Sequence, residues 1–441
     1  MPVAERLYYD DSSLRTFTAQ VTDIREYART DGQSQWQIAL DRTAFYPNSG
    51  GQPNDCGTLA ATARSGAELL AEIDDVVEDD DGEVWHSTRK PLLAGTEVTG
   101  TIDWPRRLDH MQQHSGQHLL SAIFYEELGA RTVSFHLGET VCSVDLAVES
   151  PDQQAALLEA LPRIEQRVNQ HIAENLPVST RTVSSEQAQA LLAAGQVRKL
   201  PPRAGSIRLI EIPTLDLNAC GGTHVRSLGE IGTLLLRSTE RVKKSLRVEF
   251  VCGQRAVAAA RLDFATLSAA AASLSVKRDD LPAAVERLLA ESKSSAKAQQ
   301  RLREELAHHQ AVQLAVEERI ERGLRLVRRS FANRDADYVK LLASRLVASV
   351  PQTVAIFLST MEEPAALVLA CSKSLACECG DRLRHALAPL GLRGGGSQDM
   401  AQTLIPRAQA EQVAALLAEQ FATDLRLPLV HAAAAVASPR E

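Results

Sequence analysis

Aromatic residues are scarce in this chain, at 4% of 441 residues. Base stacking on aromatic side chains should therefore be minor, and any grip on a polyanion falls to Lys and Arg. No apolar run approaches the ~20 residues that a bilayer span needs. The opening stretch MPVAERLYYDDSS has no apolar core, so it does not read as a secretory leader. Cysteine is sparse, odd in number at seven, and widely spread. That excludes a disulfide-stapled scaffold and points to a reducing, cytoplasmic setting. Positive charge is not in excess either. A formal net charge of −8 excludes an indiscriminate polycation and leaves only local basic patches for nucleic acid.

What is present is ordinary globular material, with 44% hydrophobic and 24% charged residues. The length calls for two to four domains. Residues 1–100 alternate apolar and polar side chains, as in FTAQVTDI and QWQIALD, which predicts half-buried strands in a small β-barrel. Phe45 to Gly57, FYPNSGGQPNDCG, is punctuated as a loop. Asp103 and Pro105 open a largely buried helix ending near Leu128. Strands at 134–146, 206–213, 232–240 and 245–253, with helices at 151–175 and 184–195, predict an α+β domain over 101–255. Residues 256–330 have long-helix composition, with no proline from Ala283 to Val350. Leu281, Val285 and Leu288 begin a heptad that Ser292 and Ser295 interrupt, so a coiled coil and a helical hairpin fit equally. Residues 331–441 predict a C-terminal α/β domain with a glycine-rich turn at Gly394, Gly395 and Gly396.

The chemistry gathers in two short motifs. His114 and His118 lie at i and i+4 of the predicted helix, on one stripe. Cys220 and His224 repeat that spacing in CGGTHV, where Gly221 and Gly222 allow a tight turn. Any one of these residues alone is an ordinary buried side chain. Two matched pairs of imidazole and thiolate predict a metal site, zinc foremost. Four protein ligands normally close a structural site, whereas a catalytic zinc keeps a position open, so the motifs leave both readings standing. Cys377-x-Cys379 is too weak a pattern to read as a second site.

The set FYPNSGGQPNDCG, HSGQHLLSA, CGGTHV and RGGGSQDMAQ resembles the editing and C-terminal portions of alanyl-tRNA synthetase. As a separate chain it resembles the AlaX-type alanyl-tRNA editing proteins. The resemblance implies an α+β multi-domain protein: a barrel over 1–100, a zinc-binding editing domain over 101–255, a helical linker over 256–330, and a tRNA-binding or oligomerisation domain over 331–441 of the kind associated with DHH phosphoesterases. It implies an ATP-independent aminoacyl-tRNA hydrolase that deacylates seryl- or glycyl-tRNA(Ala). Zinc would be held by His114, His118, Cys220 and His224. The implied substrate pocket takes in Ser49, Gly50, Gly51 and Gln52, with Gly221, Gly222 and Thr223. Polarity near the motifs adds Thr43, and Gln117 and His136 stand as catalytic candidates; His136 falls where synthetase versions tend to carry Gln. Basic clusters suit tRNA phosphates: Arg198, Lys199, Arg203 and Arg208; Arg241, Lys243, Lys244 and Arg247; and Arg322, Arg325, Arg328 and Arg329. Gly394 to Gly396 belong to the same expected tRNA surface, and a homodimer through the linker and C-terminal domain is compatible. The competing readings are a noncatalytic tRNA-binding module with a structural zinc, and a hydrolase of another aminoacyl-tRNA or ester.

Overall fold

Alternation of apolar and polar residues makes a strand with one buried face, because successive side chains point to opposite sides. In the computed structural model, which describes residues 3–30, 33–62, 66–201, 205–318, 320–321 and 323–424, the first hundred residues follow that rule. Seven strands form one antiparallel sheet: β1 (Thr16–Thr30), β2 (Gln33–Leu40), β3 (Gly57–Thr62), β4 (Glu68–Ile73), β5 (Asp75–Glu78), β6 (Val84–Thr88) and β7 (Glu97–Ile102). Their order is β4-β3-β7-β1-β2-β6-β5. The two end strands are halves of one stretch of chain, separated only by Asp74. Phe17, Val21, Ile38, Leu40, Phe45 and Leu59 fill the core beneath.

Helix α1 (Trp104–Leu128) follows directly. Asp103 caps it by accepting from the Arg106 N–H, a proline sits in its first turn, and Gly129 ends it in a left-handed conformation. It packs on a four-stranded sheet of β8 (Thr132–Leu137), β9 (Cys142–Ala147), β13 (Leu234–Val242) and β14 (Ser245–Cys252), in the order β8-β9-β14-β13. Helix α2 (Pro151–Glu174) joins this core through Leu157, Ile164 and Val168. A three-stranded sheet follows: β10 (Ser179–Val183), β11 (Ile207–Ile212) and β12 (Asp216–Ala219), flanked by α3 (Ser185–Ala193). The chain divides by internal contacts into Met1–Ala270 and Ala271–Glu441. Helix α4 (Gly253–Ser273) comes before α5 (Leu281–Glu317).

The second unit holds a five-stranded sheet of β15 (Arg325–Phe331), β16 (Thr353–Ser359), β17 (Ala365–Cys371), β18 (Gly395–Gly396) and β19 (Met400–Ile405), in the order β15-β16-β17-β19-β18. Strands β16 and β17 are buried along their whole length, which is why they read as unbroken apolar runs. Helices α5 and α6 (Ala336–Ser349) cover one face. Helices α7 (Cys379–Leu387) and α8 (Arg407–Asp424) cover the other. One expectation is corrected here: long-helix composition suggested helix to residue 330, but Arg325–Phe331 is a strand. It pairs parallel with β16, and that tertiary pairing overrides the local composition.

Candidate metal centre

A buried helix carrying two histidines four residues apart places both rings on one side of one turn. His114 and His118 are 1% and 7% exposed, with ring centroids 5.2 Å apart. The turn after β12 brings Cys220 and His224 to the same place. The Cys220 Sγ lies 3.4 Å from His114 Nε2 and 3.3 Å from His224 Nε2. One donor atom from each of the four residues lies within 4.8 Å of every other. In a tetrahedral zinc site, nitrogen and sulfur ligands stand about 3.5 Å apart. The cluster therefore has the spacing of a ligand set, and three imidazoles with one thiolate suit zinc.

The far side of each ring supports that reading. His114 Nδ1 lies 2.8 Å from Gln52 Oε1, His118 Nδ1 lies 3.1 Å from Asp216 Oδ2, and His224 Nδ1 lies 3.1 Å from Ser115 Oγ. Gln52 cannot turn round, because its Oε1 also accepts from the Thr223 N–H and its Nε2 donates to Thr223 Oγ1. His114 must therefore donate from Nδ1 and keep its Nε2 lone pair for the cluster. Asp216 holds His118 the same way and is itself bound by Arg198 and Asn218. Gly222 is obligatory: a Cβ there would sit 2.2 Å from His114 Cε1. Its N–H donates to Cys220 Sγ, and Arg208 clamps the turn through the Cys220 and Gly222 carbonyls.

Charge is arranged to suit a cation. Burial raises the Cys220 thiol, but His114 and His224 outweigh it and hold the group well below its usual value, as thiolate. Burial pushes His224 down to about 3, with His114 adding to the effect. Burial lowers His118 too, yet hydrogen bonds to Asp216 and Cys220 lift it to about 10. A divalent ion placed among these groups would meet three imidazoles and one negative sulfur.

The loop from Phe45 to Gly57 reaches this centre through Gln52. Tyr46 N donates to Asp55 Oδ2, Asp55 N donates back to Tyr46 O, and Arg107 Nε of α1 donates to both Asp55 oxygens. Arg107 and Asp55 are fully buried. Gly50 and Gly51 have φ of +57° and +82°, and a Cβ on Gly51 would stand 2.9 Å from Phe135 Cε2, a ring that flanks His114. Ser49 pairs with Gln52 across the turn. Thr43 is buried at the start of the loop, 2.8 Å from His86 Nε2. His86 Nδ1 faces the Ile38 carbonyl, so it is the donor; Nε2 must then accept from the Thr43 hydroxyl, which itself accepts from the Phe45 N–H.

Of the other candidates, Gln117 is buried on α1 and donates to Ser121 Oγ, while its Oε1 is buried without a partner. Gly221 is exposed beside the buried Gly222 and Thr223. His136 is exposed on β8, on the strand face opposite Phe135, and is not brought to the cluster. Arg241, Lys243 and Lys244 are exposed at the tip of the β13–β14 hairpin, whereas Arg247 is bound to Asp145. Arg198 and Arg208 build the metal centre, and Arg328 and Arg329 pair with Glu411, Glu317 and Glu318. Arg203 and Arg322 lie outside the described residues. The expected glycine-rich turn is instead in part a strand: Gly395 and Gly396 form β18, where a Cβ on Gly396 would meet the Met400 carbonyl at 2.2 Å and one on Gly395 would meet nothing within 4 Å. Sequence reasoning missed Asp216, Ser115 and the Asp55–Arg107 pair. Ser115 carried a signal in its place beside His114; Asp216 carried none.

Comparison with known proteins agrees with the motifs. Residues 207–248 match the family described as the threonyl and alanyl tRNA synthetase second additional domain, and residues 2–106 match class II (A) tRNA synthetases. The chain is 35% identical over 260 residues to the alanyl-tRNA editing protein Aarsd1 of Rattus norvegicus, covering 56% of this chain and 58% of that one. It is 31% identical over 260 residues to the alanyl-tRNA editing protein AlaX-L of Pyrococcus horikoshii, covering 58% and 59%. It is 29% identical over 414 residues to alanine–tRNA ligase of Methanoculleus marisnigri, covering 92% of this chain and 42% of the ligase. The chain thus spans less than two thirds of the length of these relatives. The resemblance borne by the His, Cys and Gly motifs is thus shared with homologues that are alanyl-tRNA editing proteins, and the chain fits an AlaX-type alanyl-tRNA editing protein.

Proposed function

We propose that this protein is a trans-editing hydrolase that deacylates tRNA(Ala) mischarged with serine or glycine. The observation that carries the reading is the convergence of His114, His118, Cys220 and His224, each ring oriented from behind, in a relative of alanyl-tRNA editing proteins. Those four residues would hold one zinc ion, which when bound supplies Lewis-acid polarisation of the ester. The aminoacyl ester is already activated, so positioning and oxyanion stabilisation suffice. The backbone around Gly221 and Gly222 and the Gln117 side chain are the candidate donors; His136, exposed on the far face of its strand, is not among them. We read the seven-stranded ladder as the expected small barrel, and its Ser49–Gln52 loop as one wall of the aminoacyl pocket.

Discrimination has a physical basis. A pocket that hydrogen-bonds the serine hydroxyl rejects alanine, whose methyl would leave those groups unpaired. The unpartnered, buried Gln117 Oε1 supports its role as that acceptor. Thr43 has both its neighbours satisfied and offers one remaining lone pair. The test is deacylation of Ser-, Gly- and Ala-tRNA(Ala), with and without chelator. Turnover of Ser- or Gly-tRNA(Ala) that is lost on metal removal is expected, with Gln117→Ala or Thr43→Val losing about tenfold of the discrimination, one hydrogen bond's worth. No turnover by metal-replete protein would overturn the proposal. That result would favour the second reading, a noncatalytic tRNA-binding protein, for which the four-residue protein ligand set speaks.

Three further parts of the reading rest on separate observations. Exposed Arg241, Lys243 and Lys244 are the cations we assign to tRNA phosphate. Val285, Leu288, Leu302 and Leu306 recur at heptad spacing on α5 and are 41%, 51%, 59% and 41% exposed, which supports pairing with a second copy. Sedimentation velocity tests this, since Leu302→Asp with Leu306→Asp should shift a dimer to monomer. The seven free thiols suit the cytoplasm.

A further inference from the structure

Aromatic side chains are few, yet three of the six tyrosines meet in one cluster. The Tyr8 ring stands edge-on to Tyr9 and to Tyr46, at centroid distances of 4.9 and 5.2 Å. The cluster reaches the Cys220 turn through Tyr9: a Cβ on Gly221 would stand 3.7 Å from the Tyr9 hydroxyl. Arg208 ties the two together. Its Nε donates to the Tyr9 carbonyl at 3.1 Å, and its Nη1 donates to the Cys220 and Gly222 carbonyls, both at 2.9 Å. Its guanidinium carbon lies 5.3 Å from the Tyr9 ring centre. At the outer end of the side chain, Arg6 Nη1 donates to Tyr9 Oη at 3.0 Å. Arg6 is itself held, its Nη2 donating to Glu78 Oε1 at 2.8 Å and to the Gly82 carbonyl at 3.0 Å. The Tyr9 hydroxyl is therefore fixed beside the turn that carries a metal-site sulfur.

The three hydroxyls are not equivalent. Tyr8 is buried, hydroxyl included, beyond the reach of a ligand. Tyr46 donates its hydrogen to the Ser49 carbonyl at 3.0 Å. Tyr9 is half-buried, and Gly221 beside it is exposed. Its oxygen accepts from Arg6, and among the described residues no group accepts its own hydrogen. Two guanidiniums and the edge of Tyr8 pack round the ring, so the residue offers a ligand its hydroxyl rather than a bare stacking face. We propose that Tyr9 binds substrate, donating a hydrogen bond to the free hydroxyl of the terminal ribose, next to the oxygen that carries the amino acid. The inference rests on the editing reading. In that reading the ester lies against the four ligands and the Gly222 backbone. The sugar comes next, at exposed Gly221, and its free hydroxyl is on the carbon adjacent to the ester. A ribose hydroxyl has lone pairs to accept the unused Tyr9 donor. Arg6 and Arg208 already donate to Glu78 and to carbonyls, so the donor left over at Tyr9 is neutral and suits a neutral sugar oxygen better than a phosphate.

The test reads binding rather than turnover. The probes are 3′-serylamido-3′-deoxyadenosine, whose amide resists hydrolysis, and its 2′-deoxy counterpart. Each is titrated calorimetrically into the zinc-loaded full chain. Wild type should bind the first ~5–10-fold more tightly than the second, the factor that a single neutral hydrogen bond contributes. Tyr9→Phe keeps the ring against Arg208. It should lose that same factor for the first probe and nothing for the second, so that the two deletions are not additive. Zinc affinity, read with a chromogenic chelator, should not change. No binding of either probe, equal wild-type affinity for both, or undiminished binding of the first probe by Tyr9→Phe would each overturn the inference. So would an equal loss of both probes, or a weakened zinc affinity, either of which would make Tyr9 a support of the turn. Deacylation of Ser-tRNA(Ala) by wild type separates the two failures: with turnover only the role of Tyr9 falls, and without it the editing reading falls as well.

Discussion

At the scale of single residues, the candidate metal centre depends on groups that would never touch an ion. Gln52 fixes the tautomer of His114 through a carbonyl oxygen that is itself fixed by Thr223. Removing it should free the ring to rotate and to bind a proton on the wrong nitrogen. Gln52→Ala is expected to weaken zinc binding by ~10–100-fold, the usual cost of losing such a support. Competition with a chromogenic chelator measures this without any tRNA. An affinity within about twofold of wild type would show that the ring is oriented by other means. His86 behaves differently, being fully buried and far from charge compensation. Burial, opposed only by its hydrogen bond to the Ile38 carbonyl, pushes it from 6.5 down to about 4. The unfolded chain therefore takes up the proton first, so stability present above the unfolded value is lost as pH falls from 6.5 towards 4. The loss should be about 3 kcal/mol in total, or about 1.4 per pH unit. His110, lowered to about 4 chiefly by burial, adds a contribution of the same sign. Urea unfolding at several pH values should show the slope, and His86→Asn should flatten it.

At the scale of elements, the loop that carries Gln52 is bolted to the helix that carries the histidines. The bolt is Asp55 and Arg107, both without solvent exposure, and Arg107 also donates to the Ser12 carbonyl. A buried pair of this kind adds little net stability against an apolar substitute, but breaking one side leaves a buried charge alone. Arg107→Met should destabilise by about 3–5 kcal/mol. Tryptophan fluorescence reads this cleanly, because Trp36, Trp85 and Trp104, all three in the chain, lie within residues 1–270. Asp55→Asn with Arg107→Met should recover part of the loss. No recovery would mean that the two residues act independently. The same scale explains the misread strand: Arg325–Phe331 follows directly on a long-helix composition and carries three arginines in seven residues, and it becomes a strand by pairing with β16.

At the scale of the whole molecule, the proposed tRNA contact of a chain with net charge −8 must run through few cations. Most candidate Arg side chains are already committed to carboxylates or carbonyls within the fold. Lys243 and Lys244 remain exposed at a hairpin tip. Each phosphate contact contributes ~0.7–0.9 to the slope of log affinity against log salt. Lys243→Ala with Lys244→Ala should therefore reduce that slope by roughly 1.4–1.8, with zinc affinity unchanged. An unaltered slope would move the tRNA surface elsewhere.

The sequence by itself determined the two ligand pairs, the loop with Gly50 and Gly51, and the strand and helix patterns around them. Those features are local: spacing along a helix, a Gly-allowed turn and alternating burial are set within a few residues. Only the tertiary structure decided that Asp216 stands behind His118, that Asp55 meets Arg107, and that Arg198 and Arg208 turn inward. Each of those pairings joins residues 12 or more positions apart and depends on where a neighbouring element packs. Charge and polarity in a sequence name a side chain's chemistry, but its partner is chosen by the packing of apolar faces that carry no mark of it.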